Sequence, residues 1–146
     1  MNNGAFETEL RDQGRLVYYV RGRSMEPMLR QNRDLVHLRL PEGSLKKNDV
    51  ALFRRPSGKY VLHRVVGEDE RGYIFLGDNC KSREFGVPAD TVIGVLTEFV
   101  RKGKVISAND RRYLAYVRLW EIMYPLRALV FGVIDCLRSV VHRCKA

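Results

Sequence analysis

Two short segments carry residue types that could perform covalent catalysis. Ser24 lies in the run Gly-Arg-Ser-Met-Glu-Pro, where Gly22 permits a tight turn and Pro27 fixes the backbone just beyond the serine. His63 lies in the run Val-Leu-His-Arg-Val-Val-Gly. A serine hydroxyl attacks a carbonyl efficiently only when a neighbouring base takes its proton, and a neutral imidazole is such a base. The pair predicts peptide-bond hydrolysis through an acyl-serine, with the backbone N–H of Ser24 as an oxyanion donor.

The sequence leaves open which group holds the far nitrogen of His63. Imidazole works best as a base when an acceptor fixes its tautomer and stabilises the imidazolium. Asp78, in the run Leu-Gly-Asp-Asn, is the first choice, although a loop aspartate can equally bond to its own turn. Glu84 is the second choice, and the hydroxyl of Ser82 is a third. We therefore predict a catalytic set of Ser24, His63 and Asp78, with these alternatives for the third member.

The three segments resemble the sequence boxes of signal-peptidase-like serine peptidases, a superfamily that also contains self-cleaving repressor-type proteases. The resemblance covers roughly residues 14–104. A lysine holds the position of His63 in most bacterial members, so this chain is similar to the endoplasmic-reticulum and archaeal branch. The last box departs from the family pattern, because Lys81 stands where a second acid is usual. The resemblance implies a serine endopeptidase that needs no metal or cofactor and binds its substrate as an extended strand.

Short apolar runs separated by turn residues indicate a chain rich in strands. The predicted strands are 16–20, 34–40, 49–54, 60–66, 73–76 and 91–100. Strands at such short intervals favour an antiparallel sheet that closes on itself. The resemblance implies the same class of fold: mainly β, a partly closed antiparallel β-barrel of the signal-peptidase type, followed by a C-terminal amphipathic helical segment.

The pattern divides the chain into three parts. These are a polar N-terminal arm at 1–13, the peptidase-like β domain at 14–106, and a basic amphipathic helical tail at 107–146. In the tail, apolar residues recur three or four positions apart, which is the helical period. Asn109 or Asp110 is a candidate helix cap, and Pro125 predicts a kink or a break into two helices.

The tail also carries most of the net charge. Residues 101–146 contain 10 lysines and arginines against 3 acidic residues, and so account for +7 of the net charge of +9. An apolar stripe flanked by arginines and aromatic side chains fits a helix that lies in a membrane surface. Packing on the β domain or on a second copy of the chain is an equal alternative. We predict no nucleic-acid partner, because no recognition motif accompanies the charge.

Composition indicates a single domain in a reducing compartment. The chain has 146 residues, and its 3 cysteines show neither a disulfide framework nor the spacing of zinc ligands. It lacks the basic and apolar start of a secretory signal, and it lacks an apolar run long enough to span a bilayer. We therefore expect a cytoplasmic protein, with peripheral attachment to the inner face of the membrane as an open alternative.

The predicted activity is hydrolysis of a peptide bond in a peptide or protein precursor, of the leader or propeptide type, by a Ser24–His63 dyad or triad. Two alternatives stay open. A self-cleaving repressor-like protease is disfavoured, because only a short arm precedes Ser24. A catalytically inactive relative would bind a membrane surface or a protein partner through its tail. The substitution of Lys81 for the usual acid is the sign that favours this second alternative.

Overall fold

The computed structural model describes residues 5–126. The elements in chain order are α1 (Ala5–Gln13), β1 (Arg15–Tyr19), β2 (Asp34–Arg39), β3 (Val50–Arg54), β4 (Tyr60–Asp69), β5 (Gly72–Leu76), β6 (Glu84–Val87), a 3-10 turn (Ala89–Thr91), β7 (Val92–Arg101), β8 (Lys104–Ser107) and α2 (111–126). No helix within this range is long and apolar enough to cross a bilayer.

All eight strands belong to one antiparallel sheet, which confirms the prediction of a mainly β fold. The strand order is β1-β2-β7-β3-β4-β5-β6, and β8 pairs with β7. The expected closure into a barrel is not seen, because β1 and β6 end the path and do not pair with each other within the described range. After β1 the chain forms the Ser24 segment before it enters β2. The backbone oxygen of Ser24 accepts a hydrogen bond from the N–H of Asn79, at 2.7 Å, in the loop between β5 and β6.

The six predicted strands correspond to β1–β5 and β7, with ends that differ by a few residues. The other two strands were not predicted, because each is short and comes after a turn. Gly86 interrupts β6 with φ at 62°, a conformation that breaks the regular alternation of side chains. β8 comes after a tight turn at Lys102 and Gly103, whose φ values are both positive.

The N-terminal arm is helical where the sequence predicted only a polar segment. Leu10 of α1 is fully buried and packs against Gly94 of β7, where an added Cβ would lie 3.1 Å from Leu10 Cδ1. Phe6 stacks on Tyr18 of β1, with ring centroids 5.2 Å apart. Burial of a leucine contributes about 2 kcal/mol. These few apolar contacts hold a helix that is otherwise polar.

The apolar core has two parts, one on each side of β4. Leu62 belongs to the larger part, which also receives Tyr113 and Val117 from α2. Val65 belongs to the smaller part, which is built around Phe53 and Phe75. Consecutive side chains of a strand point to opposite faces. His63 and Arg64, which lie between Leu62 and Val65, are therefore directed to different sides of the sheet.

Helix α2 begins at the predicted cap. Oδ1 of Asp110 accepts hydrogen bonds from the backbone N–H groups of Arg112 and Tyr113, at 2.8 and 3.2 Å. Tyr113, Val117 and Trp120 of the helix are buried against the β domain. This face of the helix therefore packs on the β domain, as one of the two alternatives from the sequence expected. α2 continues through Pro125 to residue 126. The kink or second helix predicted after Pro125, and the rest of the predicted tail, lie outside the described residues.

Candidate active site

Ser24 begins a tight turn five residues after the end of β1. Gly22 has a φ of 77°, as expected for the turn that precedes the serine, and its N–H donates to Oε1 of Gln31 at 2.9 Å. Met25 is buried, and its backbone oxygen accepts from the N–H of Leu29 at 2.8 Å. The side chain of Ser24 is therefore presented from a segment that is anchored on both sides.

The loop at residues 77–80 also anchors the Ser24 segment. Besides the bond between the Asn79 N–H and the Ser24 oxygen, Nδ2 of Asn79 donates to the backbone oxygen of Arg23 at 3.2 Å. Gly77 lies where there is no room for a side chain. A Cβ there would lie 2.7 Å from the backbone oxygen of Ser24 and 2.9 Å from Nε2 of His63. The glycine thus permits the serine segment and the histidine to approach one another.

Ser24 and His63 line the same cavity, which has a volume of about 250 Å³. His63 is only 4% exposed, and its ring contacts the edge of Phe53 at a centroid distance of 6.2 Å. Over residues 5–126, no direct hydrogen bond joins the Ser24 hydroxyl to His63. Nε2 of His63 contacts the Cys80 sulfur, at 3.9 Å. Catalytic hydrogen bonds often tighten only when substrate is bound, so this geometry is compatible with a nucleophile and its base.

Glu84 is the carboxylate that contacts His63. Its Oε1 lies 3.0 Å from Nδ1 of His63, although off the direction of the N–H bond, so the contact is electrostatic rather than a well-aligned hydrogen bond. Arg55 holds the same carboxylate through two hydrogen bonds of 2.7 and 2.6 Å. Glu84 was the second choice from the sequence. The third choice, Ser82, is exposed and makes no hydrogen bond to His63 in the described part of the chain.

Burial and charge set the protonation states of this pair. Burial lowers the pKa of His63, and the negative charge of Glu84 only partly opposes this. Burial alone would raise the pKa of Glu84, but hydrogen bonds from Arg55 and the proximity of His63 outweigh it and lower the pKa. At neutral pH the site therefore holds a neutral imidazole beside a carboxylate, which is the state that a general base requires.

Asp78, the first choice for the third catalytic group, pairs with Arg64, whereas Glu84 is the carboxylate beside Nδ1 of His63. Two hydrogen bonds of 2.8 and 2.7 Å join the guanidinium to the carboxylate, and both residues are fully buried. Arg64 is the next residue after His63 in β4 and is directed to the opposite face, so it brings Asp78 to the side of α2. The structure thus differs from the assignment of Asp78 to His63, and a bidentate guanidinium partner is the physical reason.

Three residues of the site were not predicted as functional. Arg64 belongs to the histidine box, but its pairing with Asp78 depends on the path of the loop after β5 and carries no sequence signal. Arg55 comes directly after β3 and reaches Glu84 only through the pairing of strands. Cys80 directly follows the Gly-Asp-Asn run, and this position is the one signal that could have placed it near the histidine.

The chain matches no protein-family model, and no curated protein matches it significantly. The case for an activity therefore depends on the residues and geometry of the site itself.

Proposed function

We propose that the protein is a serine endopeptidase that hydrolyses a peptide bond in a peptide or protein precursor, as in removal of a leader or propeptide. One observation carries the proposal: Ser24 and His63 share one cavity, and a carboxylate lies at the far nitrogen of the histidine. We further propose that the open sheet is of the signal-peptidase type. This type is suggested by the order of the serine, histidine and Gly-Asp-Asn boxes along the chain.

In the proposed reaction, Oγ of Ser24 attacks the carbonyl carbon of the scissile bond while Nε2 of His63 accepts its proton. The resulting oxyanion receives a hydrogen bond from the backbone N–H of Ser24. The carboxylate of Glu84 stabilises the imidazolium. His63 then gives the proton to the leaving amine. The amine departs and an acyl-serine remains. A water molecule attacks this ester, with His63 again as the base, and releases the acid and the free serine.

The substrate would enter as an extended strand beside β1. Within the described range β1 pairs only with β2, so its other edge is available for backbone hydrogen bonds to a peptide. Only residues 20–23 separate β1 from Ser24, so the end of such a peptide would lie near the nucleophile. Tyr18, Tyr60 and Met25 line the cavity and would contact the residue before the cut. The family resemblance suggests a small side chain at that position.

The exposed face of α2 supports contact between the enzyme and a membrane surface. Leu119, Ile122 and Leu126 are exposed on the side of the helix that points away from the domain. Together with the basic tail, this face suits contact with an anionic membrane surface. We propose a cytoplasmic enzyme that attaches peripherally to the inner face of the membrane through this helix.

A second candidate is an inactive module of the same fold that binds a membrane or a partner. It is favoured by one observation, that the hydroxyl of Ser24 makes no direct hydrogen bond to His63 within residues 5–126. Cleavage of a mixed peptide library, read by mass spectrometry, separates the two. The proposal predicts cuts that disappear with Ser24→Ala and persist with Ser57→Ala, a matched change in the exposed turn after β3. Absence of any Ser24-dependent cut would favour the inactive module.

A further inference from the structure

We propose that α2 is a positioning helix for the active site, in which Trp120 and Tyr116 hold Asp78 and thereby fix the Ser24 segment beside His63. The inference rests on the proposed peptidase function and assigns a role to a helix that lies outside the three sequence boxes. Neither residue touches the cavity of Ser24 and His63. They act through Asp78 and the loop at residues 77–80, and are positioning residues rather than catalytic ones.

The helix contacts both the side chain and the backbone of Asp78. The hydroxyl of Tyr116 lies 3.3 Å from Oδ2 of Asp78, and the indole N–H of Trp120 donates to the Asp78 backbone oxygen at 3.2 Å. Asp78 is thus held by α2 at two separate atoms. A helix that merely covered apolar surface would not need hydrogen bonds at both places.

The partner of Asp78 is held by the same helix. The guanidinium of Arg64 donates to the Tyr113 hydroxyl at 3.2 Å and lies 5.4 Å from the centroid of the Trp120 ring. Arg64 and Asp78 are both 0% exposed. A buried ion pair is favourable only when its remaining hydrogen-bonding groups are satisfied, because the charges have lost their hydration. The docked helix supplies several of these partners, in addition to the backbone oxygen of Asn48, and it keeps water away from the pair.

A single residue, Asn79, connects Asp78 to the Ser24 segment. Asn79 donates from its backbone to Ser24 at 2.7 Å and from its side chain to Arg23 at 3.2 Å. Gly77, on the other side of Asp78, is in close contact with both the Ser24 backbone and Nε2 of His63. A displacement of Asp78 therefore moves the serine segment relative to the base, and the reaction depends on that separation.

The test uses a fluorophosphonate probe, which phosphonylates an activated serine with loss of fluoride while the base takes the serine proton. Trp120→Phe keeps an aromatic ring but removes the indole donor, and Tyr116→Phe removes one hydroxyl. We expect each variant to lower the maximal inactivation rate about threefold to tenfold, the equivalent of one hydrogen bond. The concentration of probe giving half-maximal rate should not change. The midpoint of the pH profile should also stay, because Glu84 and His63 are untouched.

The matched control is Leu114→Ala, on the same helix but 44% exposed and outside both the cavity and the proposed membrane face, which should react like the native protein. Native rates in both Trp120→Phe and Tyr116→Phe would overturn the inference. A lower labelled fraction at an unchanged maximal rate would also overturn it, because that pattern reports only loss of folded protein. If Trp120→Phe does not fold, Tyr116→Phe alone decides the question. Ser24→Ala distinguishes the two proposals: full labelling of that variant ends the peptidase proposal, whereas abolished labelling with native rates in the helix variants ends only this one.

Discussion

Replacement of Glu84 by glutamine should reveal how much the carboxylate contributes to the base. Oε1 of Glu84 lies 3.0 Å from Nδ1 of His63. At an effective dielectric constant of about 20, a full charge at that distance would stabilise the imidazolium by about 5 kcal/mol. Arg55 binds the same oxygen and offsets part of this. If about 2 kcal/mol of this electrostatic stabilisation is lost after the offset by Arg55, the rate falls about 30-fold.

The same change should also move the pH profile of the reaction. His63 accepts the serine proton only when it is unprotonated, so the rate rises with pH through the pKa of His63. Glu84 raises this pKa against the effect of burial, and its neutralisation should lower the pKa further. In Glu84→Gln the rising part of the profile should therefore shift to lower pH while the plateau falls. A general loss of folded protein would lower the plateau without this shift.

The assay is the maximal inactivation rate with the fluorophosphonate probe, measured from about pH 5 to 9. Glu98→Gln is the matched control, because Glu98 lies 2.9 Å from Nδ1 of His37 in a similar pair outside the cavity. We expect Glu98→Gln to follow the native profile. If Glu84→Gln gave the native plateau and the native midpoint, the role assigned to Glu84 would be refuted.

Three other variants or conditions probe the same contacts. Asp78→Asn should lower the free energy of unfolding, measured in urea, by about 3–5 kcal/mol, because it leaves Arg64 buried without its charge partner. The control Asp90→Asn, at an exposed position, should have little effect. Lost labelling of Asp78→Asn at an unchanged free energy of unfolding would contradict the structural role of the ion pair. In the native protein, labelling should rise with pH to a plateau with a midpoint below the ordinary histidine value, since burial lowers the pKa of His63; a midpoint above that value would contradict the assignment. Ile122→Glu should weaken cosedimentation with anionic lipid vesicles at low salt, and equal binding by the variant and the native protein would exclude this face as the membrane contact.

Much of the sheet could be predicted because its strands have regular local patterns. In β2, Val36 and Leu38 are buried, whereas Leu35 and His37 are only partly buried, which is the alternation that the sequence displays. Helix α1 was missed because it depends mainly on Leu10 and Phe6, whose contacts with β7 and β1 are not visible in a polar segment. The sequence also did not predict that the sheet stays open, with β1 and β6 at its two ends, because the spacing of strands along the chain does not determine whether a sheet closes.

The site divides in the same way between local and long-range information. Ser24 and His63 could be identified because each lies in a short run with its own chemistry. The choice between Asp78 and Glu84 could not be made, because it depends on the face of β4 toward which each carboxylate is directed. That direction is determined by Arg64 for Asp78, and by Arg55, across two strands, for Glu84. These pairings form only in the folded sheet.

The most direct test of the account is to find the residue that the fluorophosphonate probe modifies, by proteolysis and mass spectrometry of the labelled protein. The account predicts a single adduct on Ser24 that is absent from Ser24→Ala and forms much more slowly in His63→Ala. An adduct on Cys80 or another residue, or no adduct on the native protein across the pH range in which His63 is neutral, would contradict it.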